Sequence, residues 1–209
     1  MPTAGSIPGY WVTAKAELSA ADSVLAEVIA LNEEPALSSK GDLFLNLVSA
    51  IVSQQISTTA ARTIWGRFEG LVGEVNPKSV LSLGHEELRG CGLSGRKAEY
   101  ILGIAGAWQS GYADIDWDGL NDEEVMAALI ELRGVGTWTA EMILIFTLLR
   151  PDVFPVGDIG VVRAVERLYS GGERMSNDDL IAKSRDWRPW RTVATWYLWR
   201  SIDPEPVQY

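Results

Sequence analysis

Asp158 has a side chain that could do chemistry, in a place where most Asp residues are only caps. It follows Val153-Phe154-Pro155-Val156-Gly157 and opens a stretch, 158–169, that reads as an apolar helix. Asp is a favoured N-cap, and the amides and dipole at a helix start favour an anion. A helix start would also keep the carboxylate ionised in an otherwise apolar site. Aromatic residues form a second set. Of nine tryptophans, six lie from Trp117 onward and four between Trp187 and Trp199. Such rings either fill a core or line a site that stacks flat molecules. Trp196 and Trp199 lie three apart, near one helix face, and a core role accounts for most of these rings.

A third set is Leu132-Arg133-Gly134-Val135-Gly136-Thr137-Trp138-Thr139-Ala140. Two glycines at i and i+2 permit a tight hairpin and remove the side chains that would keep another backbone away. The hairpin runs into a helix start, whose open amides can grip a phosphate without lysine or arginine. The same pattern also serves as a plain interhelical turn. Leu88-Arg89-Gly90-Cys91-Gly92 repeats the L-R-G-x-G pattern 44 positions earlier, too few copies for a solenoid.

The elements that must hold these residues read as helices throughout. Apolar spacing predicts helices over 14–32, 42–57, 58–71, 77–83, 85–89, 95–109, 122–132, 137–149, 158–169, 177–185 and 189–201. Asn121-Asp122-Glu123-Glu124 is a capping-box start. No stretch alternates with period two, so the fold class is all-α. We expect an N-terminal helical segment (1–41) packing on a C-terminal lobe (151–209). A second lobe (42–150) would include a helix–hairpin–helix at about 122–149.

Composition excludes several functions. The chain has 209 residues, 47% of them hydrophobic and 22% charged, as globular proteins do. A single cysteine, Cys91, excludes an internal disulfide, a four-cysteine zinc site and a cysteine-ligated iron–sulfur cluster. A single histidine, His85, excludes a multi-histidine metal centre. Neither is assigned a role. The N-terminus shows no signal-peptide pattern, and the longest apolar run is far shorter than the ~20 residues of a membrane span. A soluble cytoplasmic protein is expected, nuclear if the source is eukaryotic.

The net charge of −10 weighs against a nucleic-acid partner only as an average. Residues 1–46 carry six acids and two bases, and 109–131 carry seven acids and no base. The other 140 residues therefore sum to +1. Lys183, Arg185, Arg188, Arg191 and Arg200 face Asp186 alone in 183–200, enough for a local basic patch.

The order of these pieces is more specific than any one of them. A glycine hairpin at 132–139, Asp158 22 residues after Gly136 and a terminal Pro-Trp-Arg…Trp-Tyr-Leu-Trp helix resemble the helix–hairpin–helix DNA glycosylase superfamily. The chain is most similar to its 3-methyladenine DNA glycosylase II branch, over roughly 42–201. Ser49-Ala50-Ile51-Val52-Ser53-Gln54-Gln55-Ile56-Ser57 and Gly92-Leu93-Ser94-Gly95-Arg96-Lys97-Ala98 support the match.

The resemblance implies two helical lobes with a DNA- and base-binding cleft between them, without the N-terminal β-domain of larger members. It implies that Asp158 is the catalytic carboxylate, and that Trp138, Trp199, Gln54 and Met142 line the base pocket. Met142 replaces a tyrosine of the family pattern, which bears on lesion selectivity. DNA contacts fall on Gln55 or Ile56, where the family inserts a wedge, and on the backbone around Gly134, Gly136, Thr137 and Thr139. Carbonyls of Ile130, Leu132 and Val135 would hold a structural Na+ or K+; no catalytic cofactor is implied. Trp138 occupies the position of the nucleophilic lysine of strand-nicking members, so no lyase activity is expected.

The expected activity is monofunctional excision of alkylated purines, of the 3-methyladenine and 7-methylguanine type. A monomer would act on double-stranded DNA by base flipping in base excision repair. Aromatic walls favour such cationic bases by cation–π attraction. Two alternatives stand beside this: a glycosylase for deaminated or mismatched bases, and a DNA-binding module without catalysis.

Overall fold

Side-chain caps set most of the helix starts. In the computed structural model, which describes residues 1–203, the chain forms twelve α-helices and two short 3-10 turns, with no strand among the described residues. The end of the C-terminal lobe, 204–209, lies outside the described residues. The helices are α1 (Trp11–Ala21), α2 (Ser23–Leu31), α3 (Leu43–Ser53), α4 (Thr58–Val72), α5 (Pro77–Leu81), α6 (His85–Gly90), α7 (Gly95–Gln109), α8 (Asp122–Ile130), α9 (Thr137–Phe146), α10 (Ile159–Tyr169), α11 (Asn177–Ser184) and α12 (Arg191–Ile202). Asp42, Ser57, Asn76, Ser94, Asn121, Asp158 and Ser176 each accept a backbone amide of the first turn they precede. Asn121 and Glu124 close the expected capping box.

The single helix expected over 14–32 is two. Asp22 leaves the helical region (φ −139°, ψ 107°), and its carboxylate accepts the amides of Val24 and Leu25. A cap inside an apolar stripe thus interrupts the helix without disturbing the stripe.

The chain divides into two units. Among the described residues, one comprises Lys40–Ile143 with Met1; the other comprises Pro2–Ser39 and 144–203. The division falls inside α9. In the first unit α7 is the central helix, packing against α3, α5 and α6. Its Ala98, Ile101, Ile104 and Ala105 are all buried, the i, i+3, i+4 pattern of an inward face. Trp108 at its end meets Phe44 (ring centroids 5.4 Å apart) and stacks on Trp117 (6.3 Å). Buried rings thereby anchor the acidic 109–131 stretch while its carboxylates stay at the surface.

In the second unit α12 is central, packing against α1, α2 and α10. Every residue of Thr192–Arg200 is buried. Its rings are core rings: Trp196 meets Phe146 edge-on, and Tyr197 stacks on Trp11 at 5.8 Å. Among the described residues no helix is long and apolar enough to cross a membrane.

Candidate functional site

Asp158 and Trp199 come together in the second unit. Asp158 caps α10, and its Oδ1 accepts the Val161 amide at 2.9 Å. The same oxygen accepts the indole N–H of Trp199, also at 2.9 Å. Two donors on one oxygen fix the plane of the carboxylate. Trp199 is itself held, stacked on Phe146 with centroids 5.6 Å apart and planes 16° from parallel. Gly160 completes the arrangement. A Cβ there would sit 3.0 Å from Asp158 Oδ1 and 3.1 Å from Trp199 Cδ1, so the contact uses space that only glycine leaves open. Asp158 is 5% exposed and Trp199 1%.

The remaining expected site residues lie in the first unit. The hairpin between α8 and α9 turns at Gly134, whose φ is +93°. Val135 donates its amide to Leu132 O at 3.0 Å, closing the turn. The ring of Tyr100, from α7, lies directly beneath: a Cβ on Gly134 would come within 2.3 Å of it. Arg133 extends over the same ring, 6.0 Å from its centroid. Gly136 differs, because a Cβ there would meet nothing within 4 Å. Gly136 and Thr137 are exposed, Trp138 is half-buried, and Thr139, Met142, Leu132 and Val135 are buried. Ile130 is 44% exposed.

Gln54 joins the α3–α4 loop to the hairpin. Its side-chain amide donates to Gly134 O at 3.0 Å and to Thr139 Oγ1 at 3.4 Å. The next residue, Gln55, is exposed and adopts φ +57°, a region most residues avoid. Ile56, after it, is 37% exposed.

Two α7 residues that build this region carried no expected role: Lys97 lies in the Gly92–Ala98 motif without an assignment, and Tyr100 lies in no motif. Lys97 donates from its ammonium to Val52 O at 2.8 Å and Gln54 O at 2.7 Å. Tyr100, one turn on, supports the hairpin. Their i, i+3 spacing at the start of an amphipathic helix was the available signal. It resembles the many lysine–aromatic pairs that only face solvent.

Comparison with known proteins gives the family and the fold. Residues 48–189 match the model of the HhH-GPD superfamily base excision DNA repair proteins. The DNA-3-methyladenine glycosylase 1 of Schizosaccharomyces pombe is 32% identical over 167 residues, covering 78% of this chain and 73% of that protein. A Bacillus subtilis relative, also 32% identical, is matched over only 58% of its length. The crystal structure of a DNA-3-methyladenine glycosidase from Bacillus halodurans superposes with a TM-score of 0.80 at 38% identity, covering 90% of this chain and 88% of that one. The S. pombe 3-methyladenine DNA glycosylase bound to abasic DNA superposes with a TM-score of 0.81 at 30% identity, covering 94% of this chain and all of that one. With a family model spanning more than half the chain, and the hairpin, the capped Asp158 and the aromatic helix in order, the chain belongs to the HhH-GPD superfamily of base excision DNA repair proteins.

Proposed function

We propose that the protein is a monofunctional DNA glycosylase that releases alkylated purines from double-stranded DNA. One observation carries the reading: Asp158 is held by two hydrogen bonds to a single oxygen at the start of α10. The names of its relatives supply the lesion class.

A purine alkylated at N3 or N7 carries a positive charge and is already a good leaving group. The C1′–N bond breaks, and its electron pair leaves with the base and neutralises it. Positive charge then develops on the sugar, as in glycoside hydrolysis. The Asp158 carboxylate stabilises that charge and orients a water. The water's oxygen bonds C1′ and its proton is lost, leaving an abasic site. Trp138, half-buried, serves as a wall for the flipped cationic base. Trp199 holds Asp158 through its indole N–H. Trp138 offers no amine at the hairpin position, so no covalent imine with DNA forms there.

DNA is held by backbone amides of the hairpin at Gly134, Gly136 and Thr137, with the α9 dipole behind them. The carbonyls of Ile130, Leu132 and Val135 suit a monovalent cation, because Leu132 O accepts one amide and keeps a second lone pair. Such an ion would add positive charge beside the phosphate and take no part in bond cleavage.

The decisive experiment compares base release from methylated duplex DNA by wild type and Asp158→Asn. Loss of release with DNA binding retained is expected. Full activity in the variant would overturn the assignment.

A further inference from the structure

We propose that Lys97 is a positioning residue for duplex opening: its ammonium clamps the C-terminal carbonyls of α3 and so fixes how Gln55 is displayed. The inference rests on the base-flipping reading above and adds to it a residue on a different helix.

The geometry of the α3 terminus makes the case. Helices commonly end in a left-handed residue, usually glycine, whose following amides close back on the last carbonyls. Here the left-handed position is Gln55, at φ +57°. A side chain in that conformation is strained, and it persists only where the surroundings impose it. Gln54, just before it, is held on three sides. Its amide donates to Ala50 O, its side chain donates to Gly134 O, and its carbonyl accepts Lys97 Nζ. The chain is fixed again at Ser57, which caps α4. Only Gln55 and Ile56 lie between these anchors, and both are exposed.

Lys97 is suited to this task and occupied with it. Both hydrogen bonds of its ammonium go to α3 carbonyls, at 2.8 and 2.7 Å, and among the described residues it pairs with no carboxylate. A cation at the carbonyl end of a helix meets the negative end of the dipole. Burial pushes the Lys97 pKa down from its ordinary value, as befits an ammonium drawn out of water. From Tyr100, three residues on, the same face of α7 supports Gly134. The first turns of α7 thus set both the loop that enters the duplex and the hairpin that holds the backbone.

A residue that positions the opening loop matters when a base must be pulled from a duplex, and far less when it is already unpaired. The test measures single-turnover base release from a methylated strand, once paired with its complement and once alone. Wild type, Lys97→Met and Lys97→Arg are compared, with thermal unfolding of each. Lys97→Met keeps the stem and deletes the charge. It is expected to lose about tenfold or more on the duplex, with a much smaller loss on the single strand, as the removal of two charge-assisted hydrogen bonds allows. Lys97→Arg, which can reach the same carbonyls, is expected to restore most of the duplex rate. The double variant Lys97→Met/Gln55→Ala is expected to be no slower on duplex than Gln55→Ala alone.

Equal losses on the two substrates, or no loss on duplex, overturn the proposal. If Lys97→Met does not fold, Lys97→Gln, which still donates to one carbonyl, is expected to show the same duplex-selective loss at smaller size; equal losses overturn it there too. A wild type that releases no base from either strand overturns the glycosylase reading itself, a result distinct from any pattern among the variants.

Discussion

The Trp199 indole N–H and the Val161 amide meet on the same oxygen of Asp158, each at 2.9 Å. The resemblance gives Trp199 two separable tasks, a ring for a base and a donor for the carboxylate, and the structure shows the donor. Trp199→Phe keeps a ring and removes the donor. It is expected to lower the excision rate about tenfold or more, the worth of one hydrogen bond to a charged group, with preference for cationic over neutral lesions retained. Trp199→Ala removes both and is expected to lose that preference as well. Release rates for 3-methyladenine and for a neutral lesion, measured on both variants, check this. Equal selectivity in the two would remove the cation–π argument.

Gly160 tests the same relationship from the other side. A methyl group there would lie 3.0 Å from Asp158 Oδ1 and 3.3 Å from Trp199 Nε1, closer than ordinary packing. Gly160→Ala is expected to part the pair and lower the catalytic rate about tenfold. Its φ is not in the left-handed region, so the melting temperature is expected to change little. A variant with normal kcat would show that the contact is incidental.

These two residues illustrate what was legible before folding. Asp158 was readable because a cap after Pro-Val-Gly is a local event, and the helix that it starts is local too. Its bond to Trp199 was not, because the pair is 41 positions apart and the indole N–H has no pattern in the sequence. The hairpin was readable from Gly134 and Gly136, yet Tyr100 beneath it was hidden inside the stripe of α7. Gln54 was expected in the base pocket. The structure shows it bonded to Gly134 and Thr139, a long-range contact that spacing does not encode. Asp22 was missed as a break because the apolar stripe runs straight through it.

The two hairpin glycines are expected to fail differently. Gly134→Ala places a methyl group into the Tyr100 ring at φ +93°, so the fold should lose stability, with a lower melting temperature. Gly136→Ala meets nothing within 4 Å. It should fold normally and yet bind DNA more weakly, because the added methyl group stands where a phosphate would approach. Thermal unfolding beside DNA titration separates the two. Unchanged affinity in Gly136→Ala would remove the hairpin from the interface.

Acidity on this surface predicts the response to salt. In the proposed binding mode the hairpin grips phosphate by amide dipoles, and the net charge is −10. Fewer lysines and arginines on phosphates release fewer counterions, so affinity should fall gently with salt. A logarithmic slope near that of a strongly basic DNA-binding protein would show that a cationic patch, rather than the hairpin, carries the binding.

Asp22 gives a prediction about acid stability. Burial raises its pKa, but donors from Trp187, the Leu25 amide, Tyr169 and Lys183 outweigh this and bring it down to about 2 from 3.8. Trp187 Nε1, Tyr169 OH and Lys183 Nζ lie 3.0, 2.9 and 3.1 Å from Oδ2. Because the folded pKa lies below the unfolded one, the unfolded chain takes up the proton first as pH falls. The resulting stability, about 2 kcal/mol, is fully present above pH ~4 and lost between there and pH ~2. Asp22→Asn cannot titrate, so its unfolding free energy should be lower than that of wild type at neutral pH, with the gap closing across that window. Denaturant unfolding at several pH values checks the sign. A gap that stays constant from pH 5 to pH 2 would show that the site acts through packing rather than charge.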